Sequence, residues 1–284
     1  MVARADGLAD GIEVITSTII RVNITSALSS PPISSSPFGT PTALITGAGR
    51  RIGAQLARRL HAAGFDVAVH FNRSANEARA LCETLNLARR DSAIALSADL
   101  RSKQACDDLL VSYQQWRPTL QLLVNNASVF ERTPFGEVTE QTWQAQLDGN
   151  LKPTFFVSQA ALPLLRACPR SSIINLCDAR WDKPLPGFSA YASAKAAIVA
   201  LTRGLSVELA PHIRVNAIGP GSLDWPEGGT FTSEQVVALE AAIPLARIGN
   251  GDDIADAVLY LASANSYVTG QILNVDGGIS AVSV

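Results

Sequence analysis

The chain has 284 residues, 47% hydrophobic and 17% charged, which suits one large α/β domain with a sizeable core. A net charge of −2 offers no basic surface for nucleic acid, and three histidines with four scattered cysteines make no metal-ligand spacing. No apolar run approaches the roughly 20 residues of a membrane helix. Cys82, Cys106, Cys168 and Cys177 read as ordinary buried or half-buried thiols, which fits a reducing cytoplasm.

Residues 1–40 differ from the rest. The apolar run 14–20 is short for a signal-peptide core and follows Asp6, Asp10 and Glu13. Residues 29–41 are rich in serine and proline, as flexible linkers are. The segment reads as a flexible leader or a start codon assigned too early, with a targeting or interaction segment as the alternative. From residue 42, short β-branched runs alternate with longer amphipathic stretches. Strands are predicted at 42–46, 67–71, 93–98, 120–125, 172–177, 213–218 and 271–275. This alternation implies a parallel sheet covered on both faces. The predicted fold is therefore a single doubly wound α/β Rossmann domain of about seven strands over 41–284.

The first predicted strand runs into Thr46-Gly47-Ala48-Gly49-Arg50-Arg51-Ile52-Gly53, and a helical stripe of Ile52, Leu56, Ala57 and Leu60 follows. Glycines at such a turn let the backbone approach a pyrophosphate, and the helix start supplies free N–H donors. Gly47, Ile52 and Gly53 are the expected contacts; a tight turn without a ligand is the alternative. Arg51 stands between Gly49 and Gly53, at a position that is often glycine. Its cation can meet the diphosphate, reach the substrate, or stay solvated.

The second strand ends in Asn72-Arg73-Ser74. An NAD enzyme usually places Asp or Glu about 20 residues past the glycine turn. Arg73 with Ser74 instead suits a 2′-phosphate, so NADPH is the expected cofactor. His70 reads as packed or locally bonded. Asp99 and Leu100, after the third strand, can face the adenine. Asn125, Asn126, Ala127 and Ser128, after the fourth, can hold the cofactor and fix the loop, or simply cap strand ends. The glycosylation sequons at 72–74 and 126–128 read as accidental.

Asp178 ends the fifth strand, and Tyr191 follows 13 positions later. Tyr191 and Lys195 lie four apart on a predicted helix with the stripe Tyr191, Ala194, Ile198, Leu201, Leu205 and Leu209, so they share one face. Downstream of a nicotinamide site, such a pair suggests hydride transfer coupled to a proton donor.

Together these residues resemble the short-chain dehydrogenase/reductase family from about residue 42 to the C-terminus, including Val275-Asp276-Gly277-Gly278. Within it the chain is most similar to the pteridine reductases. Four segments carry that likeness: the TGAGRRIG turn with Arg51, the HFNRS strand end, the NNASVF loop, and NLCDAR before YASAK. The resemblance implies that Tyr191 donates the proton, while Lys195 binds the nicotinamide ribose and lowers the tyrosine pKa. Both then touch the cofactor. It implies that Asn150 holds a water linking Lys195 to solvent, and that Pro220, Gly221 and Ser222 turn beside the nicotinamide. Ser128 is expected to hydrogen-bond pterin or cofactor, and Phe130 to stack on a flat substrate. Trp181 lines the pocket or packs against the substrate loop. That loop is placed at about 220–245, with a lid over 224–232.

Carbonyl reductases of this type usually carry serine where Asp178 stands. A carboxylate repels the oxyanion of a reduced carbonyl and, near Tyr191, raises the tyrosine pKa against Lys195, but it accepts hydrogen bonds from the amino and ring N–H groups of a pterin. A strand-end aspartate that caps the next turn is the alternative. The expected activity is NADPH-dependent reduction of the C=N bond of dihydropterins, with dihydromonapterin, dihydrobiopterin and dihydrofolate as candidates. The rivals are a carbonyl or 3-oxoacyl reductase of the same fold and a non-catalytic dinucleotide-binding regulator. A small pterin or folate is the expected partner. A cytoplasmic homotetramer is the expected assembly, with interfaces around Trp143 and Leu201.

Overall fold

The computed structural model describes residues 39–223, 232–264 and 266–282. The expected leader, up to residue 38, and positions 224–231 of the expected substrate loop lie outside the described residues.

Seven parallel strands form one sheet in the order β3-β2-β1-β4-β5-β6-β7. They are β1 (Thr42–Ile45), β2 (Asp66–Phe71), β3 (Ala93–Ser97), β4 (Leu122–Asn125), β5 (Ser171–Leu176), β6 (Ile213–Pro220) and β7 (Ile272–Val275). Every predicted strand is present, with ends within two residues. β6 runs two residues longer because Gly219 and Pro220 pair with Asn274 and Val275.

The helices are α1 (Arg51–Ala62), α2 (Ala75–Ala88), α3 (Lys103–Trp116), α4 (Glu140–Gly149), α5 (Leu151–Arg166), α6 (Ser189–Glu208), α7 (Ser233–Ala242) and α8 (Gly251–Ala262). Side chains alternate along each strand. Ala43 and Ile45 of β1 therefore join the core under α1, α2 and α8, and Leu44 joins the core under α3 and α5. Both faces are covered, so β1, β2, β4 and β5 are buried throughout. No helix among the described residues is long and apolar enough to cross a membrane.

The stripe expected on α6 is turned in its second half. Leu201 and Leu205 are half-buried, while Thr202 and Ser206 are buried. A buried polar chain explains this. Asn175 donates to Thr202 Oγ1 at 2.9 Å, and Asn125 donates to Asn175 Oδ1 at 2.8 Å and to Ser158 Oγ at 2.9 Å. Buried amides need such partners, so the hydroxyl of α6 faces the sheet there.

The strand order reverses between β1 and β4, where α1 and α4 leave on opposite sides. A crevice beyond the carboxyl ends of the strands at such a switch point is where open α/β sheets bind ligands.

Candidate active site

The turn after β1 is set by backbone accounting. Thr46 N–H donates to Val124 O, Ala48 N–H to His70 O, and Gly47 N–H to His70 Nδ1 at 3.0 Å. His70 Nε2 lies 3.1 Å from Ala98 O. An amide only donates and a carbonyl only accepts, so His70 is the neutral Nε2–H tautomer. It bonds locally, as its sequence context suggested. Gly47 has φ +64, and a Cβ there would lie 2.9 Å from Ala127 Cα. At Gly49 a Cβ would fall 2.2 Å from Ser74 Oγ. The first helical amides, at Arg51, Ile52 and Gly53, have no acceptor among the described residues, and the first turn of α1 carries no acid. This is a cradle fitted to a diphosphate.

Burial pushes the His70 pKa down from 6.5 to about 4, against the smaller opposing effect of the Ala98 bond. The unfolded chain therefore takes up this proton at a higher pH than the folded one. Its contribution to stability is complete above about pH 6.5 and disappears as pH falls to about 4, at most about 3 kcal/mol. Urea unfolding across that range should show wild type losing more stability than His70→Gln. Parallel curves would remove His70 as the titrating group.

Arg51 has φ +52. Holding a side chain in the left-handed region costs about 1–2 kcal/mol, which explains why glycine suits the position. The arginine is kept at that cost on the cleft wall. Arg73 is exposed on the same wall beside Asn72 and Ser74. Asp99, expected to face the adenine, is gripped by Arg101, whose Nε lies 2.9 and 3.1 Å from its two oxygens. That grip holds the Asp99 pKa down at about 2. Asp99 and Leu100 still line the cleft.

The loop after β4 is tied to the glycine turn. Thr46 Oγ1 accepts from the amides of Asn126 and Ala127, both at 2.9 Å. Asn126 Nδ2 donates to Thr46 O at 2.9 Å and Gly47 O at 3.1 Å. Of the two roles foreseen for Asn126, loop fixing is the one its contacts show. Ser128 Oγ donates to Asn150 Oδ1 at 2.6 Å. Asn150, the break between α4 and α5, is fully buried behind the cleft wall rather than on it. Its amide donates to Gln146 O at 2.9 Å and Val129 O at 3.0 Å.

At the centre, Tyr191 OH donates to Asp178 Oδ2 at 2.8 Å, and Asp178 Oδ1 accepts from Arg180 N–H at 2.7 Å. Asp178 thus both caps its turn and engages the tyrosine. Lys195 Nζ donates to Leu176 O at 3.1 Å and lies 5.6 Å from the centre of the Tyr191 ring. Burial lowers the Lys195 pKa to about 8, with Cys177 and Asp178 pushing the other way. Tyr191 is pushed up, first by burial, then by the charge and hydrogen bond of Asp178. Of the two opposed effects expected on the tyrosine, that of Asp178 is present, while burial rather than Lys195 sets the balance, and Tyr191 is held neutral.

Residues 47–280 match the family model described as enoyl-(acyl carrier protein) reductase. The chain belongs to the short-chain dehydrogenase/reductase family. It is 34% identical over 242 residues to the 3-oxoacyl-[acyl-carrier-protein] reductase FabG of Staphylococcus aureus strain Mu50, covering 84% of this chain and 98% of that one. It is also 34% identical over 281 residues to pteridine reductase 1 of Leishmania tarentolae, covering 84% and 96%. An uncharacterized oxidoreductase of Methylorubrum extorquens is 36% identical over 244 residues, covering 84% and 96%. The chain is thus an oxidoreductase of a family that uses nicotinamide dinucleotides.

In this short-chain reductase one cleft of about 1080 Å³ runs from Arg50 and Arg73 past Lys195 to Phe130. Of the cofactor and substrate residues read from the sequence, Asn125 is buried away from it on Ser158 and Asn175, and the others line it, including Pro220, Gly221 and Ser222. Trp181 lines it too, half-buried. Phe130 is stacked on Phe188, with centroids 4.6 Å and planes 10° apart, and meets the Tyr191 ring edge-on at 4.9 Å. Phe188 escaped the sequence reading. Its signal was an aromatic one helical turn before Tyr191.

Proposed function

We propose that this short-chain reductase is an NADPH-dependent pteridine reductase that reduces the C=N bond of dihydropterins to tetrahydropterins. Dihydromonapterin, dihydrobiopterin and dihydrofolate are its candidate substrates. The observation that carries the reading is the Asp178 carboxylate 2.8 Å from the Tyr191 hydroxyl. An oxyanion forming at Tyr191 would meet that carboxylate at close range. A pterin instead offers amino and ring N–H donors, for which a carboxylate is the matching acceptor.

The residues divide the work. When bound, NADPH supplies the hydride. The free amides of Arg51, Ile52 and Gly53 suit its diphosphate, and Arg73 with Ser74 suits its 2′-phosphate. Asp178 orients the ring, Phe130 and Phe188 offer it flat faces, and Tyr191, Asp178 or a water between them delivers the proton to the ring nitrogen. Asn150 holds Ser128 in place from behind the wall. A homotetramer is the proposed assembly, with interfaces around exposed Trp143 and half-buried Leu201.

The FabG relatives favour a second reading, 3-oxoacyl reduction. NADPH oxidation with dihydrobiopterin, dihydrofolate and an acetoacetyl thioester separates the two. Turnover of the pterins is expected, and turnover of the thioester alone overturns the proposal. In the same assay Arg73→Ala should raise the NADPH Kd about 10–100-fold and the NADH Kd far less. Equal weakening of both would remove the 2′-phosphate contact.

A further inference from the structure

Five arginines among the described residues are half-buried: Arg59, Arg89, Arg117, Arg180 and Arg214. Arg59 is paired with Asp256, and Arg89 and Arg117 share Asp66. Arg214 donates to the carbonyls of Leu261, Val268 and Ser263. Arg180 differs. Among the described residues its guanidinium has no carboxylate and no hydrogen-bond acceptor.

Its place is fixed nonetheless. The Arg180 amide donates to Asp178 Oδ1 at 2.7 Å, and its carbonyl accepts from Lys183 N–H at 3.2 Å. It lines the cleft with Trp181, just past Asp178. A guanidinium that has lost much of its water holds five donors and a charge that always persists. Where the described residues supply no counter-charge, an anionic group of a ligand in the cleft is the fitting partner.

We propose that Arg180 binds an anionic group on the substrate's side chain, making pterins with a carboxylate-bearing tail the favoured substrate class. This rests on the pteridine reading above. Dihydrofolate, which carries glutamyl carboxylates, and dihydrobiopterin, whose side chain is neutral, share the ring and differ in this charge.

The test compares kcat/KM for these two substrates in wild type, Arg180→Ala and Arg180→Lys. The ratio of dihydrofolate to dihydrobiopterin should fall about tenfold or more in Arg180→Ala and less in Arg180→Lys, which keeps the charge but loses the fork. Added salt should lower the wild-type ratio. A ratio that does not move in Arg180→Ala overturns the proposal. If NADPH affinity, followed by fluorescence titration, falls tenfold while the ratio stays fixed, the anion is the cofactor's and the proposal also fails. A wild-type enzyme that reduces neither pterin overturns the pteridine reading itself. One that reduces both with an unmoved ratio overturns only the role of Arg180. A thermal midpoint for each variant confirms that it is folded.

Discussion

Tyr191→Phe is expected to lose about two to four orders of magnitude in kcat, the usual scale for removing a positioned proton donor. The substitution deletes one hydroxyl and leaves the ring. That ring is buried and packs edge-on against Phe130 and Phe188, so the fold and the cleft shape persist. Among the described residues the hydroxyl's partner is Asp178. Burial and this carboxylate hold the tyrosine above its usual pKa. A Tyr191 that is neutral across the working range predicts no ionisation of its own near neutral pH. The first alkaline loss in kcat/KM of the wild type should instead appear near pH 8, as buried Lys195 gives up its proton. Stopped-flow hydride transfer and a fluorescence Kd for NADPH check both parts. A Tyr191→Phe enzyme that turns over at the wild-type rate would remove Tyr191 as the donor and leave water at Asp178 as the proton source.

The sheet was legible because its strands are buried on both faces and therefore read as short β-branched runs between turn signals. The glycine turn, Arg73, Asp178, Tyr191 and Lys195 were legible because each sits at a strand end or on one helical face, where local spacing carries the information. What the sequence hid depended on partners far along the chain. Thr202 faces inward for Asn175, 27 residues away, and that amide is linked in turn to Asn125. The positive φ of Arg51 shows why glycine is common there, yet no sequence pattern reveals that strain. The rise that Asp178 gives the tyrosine pKa was legible, but its balance against Lys195 was not: it required knowing that the carboxylate lies within hydrogen-bond distance while the ammonium lies across the ring.

Asp178→Ser should reverse the chemistry of the site rather than only weaken it. Losing the carboxylate removes a charge-assisted acceptor for the pterin's N–H groups. Such bonds contribute about 1.5–3 kcal/mol, or roughly 10- to 150-fold in kcat/KM for dihydropterin. Burial, the larger cause of the raised tyrosine pKa, stays, but the carboxylate's share is lost, so the pKa should fall part of the way toward its ordinary value. Serine can still accept from the Arg180 amide, which preserves the turn and limits the cost to stability. The expected outcome is a drop in pterin turnover, an NADPH Kd close to wild type, and a gain in acetoacetyl thioester reduction. That gain is the decisive part, since a structural lesion would lower both activities together. If pterin turnover survives the change, the 2.7 Å bond to Arg180 is all that Asp178 does. The site would then belong with the 3-oxoacyl reductases that match this chain equally well.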